Sequence, residues 1–413
     1  MRITILSTLL FIGPVTFSTP AGSQPSTEVL VLTRANLIDG MSKRPLRDMT
    51  VVVRAGRIES ISRAPVRVPA GAKVIDLGGR WLLPGLIDAH VHLRDPDSAR
   101  AALRSGVTTA RSLGVPHFAD VNIRQRHRAG ASDLPDVIAA GYHVRRRLAP
   151  EFFIDAPHLR RMAEGILGPE DVRLAVRVMA GRGVDVIKVM ATDRAGLVET
   201  DPLGRVLNDE ELAAAVAEAK SAGLSVAAHA HTDEGARAAV LAGASTIEHG
   251  TLAGRETLAL MRTRGVCLVP TITFWQDMLD PGGEYDDPKL AARAKEMLPR
   301  VREAVASAWK MGVMVAAGSD MRYDASSTRV LADEIAELVG AGMPPMEAIK
   351  AATSAAAGCL GIRARTGLIR PGLEADMIVV ERDPLKDVRE LRNAVVVIND
   401  GHVVINGLVQ PPK

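Results

Sequence analysis

The chain has 413 residues, 47% of them hydrophobic and 24% charged, enough to bury a large core. That length suggests two domains, or one large barrel with an appended piece. The net charge of +3 is spread over Lys and Arg scattered among the acids, and aromatics make up only 3%. With neither a basic stripe nor stacking platforms, nucleic-acid binding is excluded as an expectation.

The N-terminus has the pattern of an export signal. Arg2 supplies a positive start, Ile3 to Phe17 are largely apolar, and Ala21-Gly22-Ser23 offer a small-residue cleavage site. The sequence thus predicts a signal peptide over 1–23, a mature start near Gln24, and a periplasmic or secreted protein. The apolar run is short for a bilayer, and no later stretch predicts a membrane span. The two cysteines, Cys267 and Cys359, sit in apolar surroundings far apart in sequence, so two buried free thiols are expected.

Past the signal, 29–40, 48–62 and 73–83 are strand-like, as are 375–382, 393–400 and 401–408 near the other end, where Asp400-Gly401 marks a hairpin turn. One composite β-domain from both termini follows, over 24–82 plus 364–413 and expected as a small β-sandwich. Between them, over 83–363, strands alternate with Ala-rich amphipathic stretches. The strands are predicted at 86–92, 107–111, 136–141, 184–190, 224–229, 244–248, 266–272 and 313–318. Eight strands mostly followed by helices predict an α/β chain built on a distorted (β/α)8 TIM barrel. An open doubly wound sheet lacks its glycine-rich loop after the first strand. Long connections at 141–168 and 273–290 are placed to shape a pocket.

Barrel chemistry sits where strands end. The first strand ends in His90 and His92, which share a face because side chains alternate along a strand. The fourth carries Lys188, the fifth ends in His229-Ala230-His231, the sixth in Glu248-His249, and the eighth in Gly318-Ser319-Asp320. Imidazoles with a carboxylate suit zinc or a similar divalent ion. Bound water would then have a pKa near 7, with Asp320 both ligand and proton acceptor. Lys188 does not fit as a plain ammonium, since divalent cations would repel it. On residue chemistry alone it is either a structural or a substrate-facing cation.

PGLIDAHVHL, the fourth-strand lysine, VAAHAHT, IEHGT and AGSD, in this order, resemble the amidohydrolase superfamily in its binuclear metal branch. The resemblance covers essentially the whole chain after the signal. It implies two divalent metals, with zinc expected: one on His90, His92 and Asp320, the other on His229 and His249. A carbamylated Lys188 would bridge them, and a bridging hydroxide would attack the substrate while Asp320 returns its proton to the leaving amine. His231 shares a strand face with His229, so either can reach the metal. With His229 as ligand, His231 becomes a catalytic or substrate-facing residue.

HAH followed by IEHGT is most similar to imidazolonepropionase-related dipeptidases and N-acyl amino acid hydrolases, including ochratoxin amidases. That subgroup implies cleavage of the amide bond of dipeptides or N-acyl amino acids, a small-molecule substrate with a free carboxylate. His143 would contact that carboxylate, with Arg145, and Arg146 and Arg147 beside it, adding cationic pull. A cyclic amide (imidazolone- or hydantoin-type) hydrolase or a lactonase on the same scaffold is the alternative. A deaminase is disfavoured by Lys188, and a catalytically lost binding protein by the full ligand set. A homo-oligomer is compatible with the sequence.

Overall fold

The computed structural model describes residues 28–63 and 66–408. The expected signal segment lies outside them.

Strands from both ends of the chain meet in one sheet. Trp81–Pro84 runs antiparallel to Met377–Val380, pairing Leu82 with Val379, and so joins the N-terminal strands to the C-terminal ones. Eight strands are hydrogen-bonded in this sheet, five from residues 29–84 and three from 377–406. Alternation divides its faces. Met377 and Val379 pack with Leu30, Leu32, Val51 and Leu82, while Ile378 and Val380 join Trp81 and Leu83 in the main core. Ile58 near one edge shares the first cluster with Val396 and Ile398 near the other. The sheet therefore curls around its own core. The two-layer sandwich expected from the sequence is, among the described residues, this one sheet. The last hairpin turns at Asp400 (φ 49°) and Gly401 (φ 77°), the left-handed pair that a tight two-residue turn requires.

The middle of the chain alternates strand and helix. Leu86–Val91, Val107–Ser112 and Asp136–Ala139 form a three-stranded parallel sheet. His143–Val144, Val186–Met190, Ser225–Ala230, Thr246–His249 and Cys267–Val269 form a five-stranded one. These sheets do not close on each other by ladders. The expected eighth strand is an irregular segment bridging the two. Val315 pairs with Leu268 and Met321 with Val91 as single bridges. Ala89 N–H donates to Ala317 O at 2.9 Å, and Asp320 N–H to His90 O at 2.7 Å. A regular ladder breaks there because Asp320 is left-handed, at φ 60°.

The thiols expected to be free are instead joined. Cys267 and Cys359 form a disulfide with Cα atoms 5.9 Å apart, across a sequence separation of 92. Distance along the chain misled here, because the helix Ser354–Cys359 folds back against the strand Cys267–Val269.

Candidate metal centre

The strand Leu86–Val91 is buried throughout, and His90 and His92 at its end hold their ring centroids 5.4 Å apart. Parallel pairing brings the other donors alongside: Lys188 is in register with Ala227, and His229 with Glu248. His90, His92, His143, Lys188, His229, His249 and Asp320 all line one cavity of about 110 Å³. Asp320 Oδ1 stands 2.9 Å from His92 Nε2 and 3.5 Å from His90 Nε2, and Lys188 Nζ lies 3.4 Å from His90 Nε2.

Four of these imidazoles are tethered by hydrogen bonds to the surrounding protein. His90 Nδ1 meets Glu248 Oε2 at 2.8 Å, His92 Nδ1 donates to Gly114 O at 3.0 Å, and His229 Nε2 donates to Asp193 O at 2.9 Å. His249 Nδ1 pairs with Thr271 Oγ1 at 2.7 Å. His90 and His92 turn their second nitrogen, Nε2, toward Asp320, whereas His249 approaches Asp320 Oδ2 through Nδ1 itself, at 4.0 Å. Metal-ligating histidines are held in this way, with tautomer and ring plane fixed from behind. Donor atoms of His90, His249 and Asp320 lie within 4.8 Å of one another, as do those of His229, His231 and His249. The residues present therefore fit divalent metal.

Burial holds the rings ready. It drives His90, His143, His229 and His249 well below the ordinary histidine range, and neighbouring cations push the same way. These imidazoles are neutral at pH 7. Burial, assisted by Arg111, pulls Lys188 down to about 8 against the opposing pull of Glu248 and Asp320.

Two sequence expectations land elsewhere. His231 is buried behind the cavity wall, stacked 4.6 Å from His249, with Nδ1 2.8 Å from Thr251 Oγ1 and Nε2 without a partner. Its free nitrogen keeps it beside His229 as a donor, and it is not on the substrate side. Arg145 does not line the cavity. Its neighbour Arg146 is engaged by both oxygens of Glu211, at 2.6 and 2.7 Å, and straps the loop to a helix.

Sequence reasoning missed the supports. Glu248 also accepts from Arg111 at 2.8 Å and from Thr246, so a fully buried ion pair stands behind His90. Asp88 accepts Ser319 N–H at 2.9 Å, Ser319 Oγ at 2.6 Å and the Tyr323 hydroxyl at 2.9 Å, which ties the first strand to the segment carrying Asp320. The available signal was a charged residue at an alternate, interior position of an apolar strand: Arg111, Asp88 and Glu248 all fit it. Arg194 and Tyr285 on loops, and Phe274 in the short helix Ile272–Asp277, also line the wall and had no such signal.

A family model described as the amidohydrolase family matches residues 81–409. The chain belongs to the amidohydrolase family. Within it, ochratoxinase from Aspergillus niger is 35% identical over 223 residues, 54% of this chain and 46% of that protein. The chain thus matches about half the length of that relative. An uncharacterized protein of Mycobacterium tuberculosis is 32% identical over 346 residues, 80% of this chain and 87% of that one. The crystal structure of a Xaa-Pro dipeptidase with bound methionine in the active site superposes with a TM-score of 0.81 at 27% identity, covering 92% of this chain and 100% of that one.

Proposed function

We propose that this amidohydrolase is an exported, metal-dependent hydrolase of dipeptides or N-acyl amino acids, with two divalent ions, zinc by preference, bridged by carbamylated Lys188. The observation that carries the reading is the set of tethered imidazoles facing Asp320 and a buried lysine across one small cavity. We read the two parallel sheets and the segment 315–321 as parts of one distorted (β/α)8 barrel, with 24–82 and 364–413 as the composite β-domain.

Divalent metal on His90, His92, His229, His249 and Asp320 would supply Lewis acidity at the scissile carbonyl and acidify the attacking water. Asp320 accepts the water's proton and returns it to the departing nitrogen, which leaves only once protonated. Its orientation for this is fixed by its own N–H on His90 O and by Asp88 gripping Ser319. Lys188, with its pKa down to about 8, spends an appreciable fraction of time as free amine at neutral pH. That form is the nucleophile carbon dioxide requires, and burial shields the product from water. His143, close to His92 with ring centroids 5.9 Å apart, faces the substrate beside the reacting atoms. The cavity's guanidiniums favour a substrate bearing a carboxylate.

The test is a library of dipeptides and N-acyl amino acids incubated with metal-loaded protein and read by amino acid released, with chelated protein as the blank. Release confined to metal-loaded protein supports the reading. Turnover of lactones or cyclic amides with none of the linear amides would overturn it. Export is tested by N-terminal sequencing of protein recovered outside the cytoplasm, with Met1 still present as the adverse result.

A further inference from the structure

Resting on that reading, we infer that Arg194 is the residue that recognises the substrate's carboxylate and so sets the preference for amino acid leaving groups. Three arginines line the cavity: Arg94, Arg194 and Arg322. Arg322 is already committed, with Nε 3.6 Å from Glu284 and its guanidinium 5.5 Å over the Tyr285 ring. Arg94 is exposed at the rim. Arg194 is half-buried, its Nε has no hydrogen-bond partner, and its guanidinium forms no ion pair among the described residues. A desolvated donor left unmade is costly, and an arriving carboxylate would relieve that cost.

The backbone of the loop that carries this side chain is held from two sides. Arg194 follows the strand carrying Lys188. On one side, Asp193 O accepts His229 Nε2–H, and Asp193 Oδ1 accepts the Arg194 N–H at 2.8 Å. On the other, Arg293 of the long helix Pro288–Met311 donates to the carbonyls of Ala195, Leu197 and Thr200. Gly196 packs so closely that a Cβ there would lie 2.7 Å from the Tyr285 ring. The backbone that carries Arg194 is therefore held in place before substrate arrives, which limits the entropy lost on binding to the side chain. A planar fork matches a carboxylate in two parallel bonds and orients it, which a histidine cannot do alone. Arg145 stands close enough to Arg194 for mutual repulsion but off the wall, so it strengthens the positive field without touching the anion.

The experiment compares an N-acyl amino acid with its C-terminal amide in the metal-loaded wild type, Arg194→Gln, Arg194→Lys and Arg145→Gln. The wild type should prefer the acid. Arg194→Gln should raise KM for the acid on the order of 10–100-fold, the loss of a charge-assisted contact, and shrink the preference for acid over amide accordingly. Arg194→Lys, which keeps charge without the fork, should fall between. Metal content and Tm equal to wild type exclude a folding defect. If Arg194→Gln discriminates as well as wild type, or Arg145→Gln alone loses discrimination, the assignment to Arg194 is overturned and the carboxylate reading survives. If the wild type cuts acid and amide equally, the carboxylate reading itself fails.

Discussion

Glu248 never reaches the cavity, yet it decides how His90 is presented. Its two oxygens are divided between His90 Nδ1 and Arg111, and the pair is sealed from water, with 0% and 3% of the Glu248 and Arg111 side chains exposed. Glu248→Gln keeps the shape and removes the charge that holds the ring's proton. Metal affinity should weaken on the order of 10–100-fold, measured by competition with a coloured chelator. Affinity unchanged from wild type would show that His90 needs no carboxylate behind it. Lys188 invites a sharper pair of changes. Lys188→Ala should abolish activity and lose part of the bound metal, with partial recovery on adding a short carboxylic acid. Lys188→Arg keeps a cation that cannot form a carbamate and should be inactive, so full activity there would reduce Lys188 to a local positive charge. The inward-facing donors were legible in the sequence because alternation along a strand puts His90 beside His92 and His229 beside His231. Which of the second pair meets the cavity was not legible, because that depends on rings from other strands: His249 stacks on His231 and covers it.

Elements show the same division between local pattern and tertiary pairing. The Asp400-Gly401 hairpin and the parallel strands follow from residues close in sequence, and most strand expectations fall within a few residues of the observed bounds. The irregular eighth segment does not, since its bends at Asp320 are imposed by Asp88 and Tyr323 from outside. The disulfide was equally invisible, as it needs the helix Ser354–Cys359 to return to the strand Cys267–Val269. Closing a loop with that separation of 92 residues restricts the unfolded chain by about 4–5 kcal/mol in the chain-entropy account, with measured values commonly lower. Cys267→Ser with Cys359→Ser should therefore lower Tm by several degrees while leaving metal content intact. A reducing agent should shift the wild type by a similar amount and the double variant not at all. Equal Tm in both proteins under oxidising conditions would mean that the bridge adds no stability. A bridge of this kind belongs to oxidising compartments, which agrees with the proposed export.

For the molecule as a whole, the balance of buried titratable groups makes stability depend on pH in two directions. The depressed histidines weaken the metal-free protein as pH falls below 6.5, because the unfolded chain takes up protons that the fold excludes. Glu334 acts oppositely. It sits in the helix Leu331–Gly340 and accepts Ile272 N–H at 3.0 Å, Thr273 N–H at 2.7 Å and the Thr273 hydroxyl at 2.7 Å, holding the start of the helix Ile272–Asp277 that carries Phe274 and Trp275. Burial raises its pKa from 4.5 to about 8, outweighing the hydrogen bonds that favour its ionised form. The folded state thus keeps a proton that the unfolded chain releases above 4.5. Its contribution is full below that value and is lost as pH climbs toward 8. Glu334→Gln retains a carbonyl acceptor and does not titrate. Comparing the two proteins in chelator cancels every other group. From pH 6.5 to 8 the wild type should lose about 1.6 kcal/mol relative to Glu334→Gln, from 1.36 kcal/mol per pH unit less the part already ionised in the fold near pH 8. Urea midpoints for both proteins at the two pH values measure this. Parallel pH slopes would mean that Glu334 is ionised in the fold throughout, held by its three donors in spite of burial.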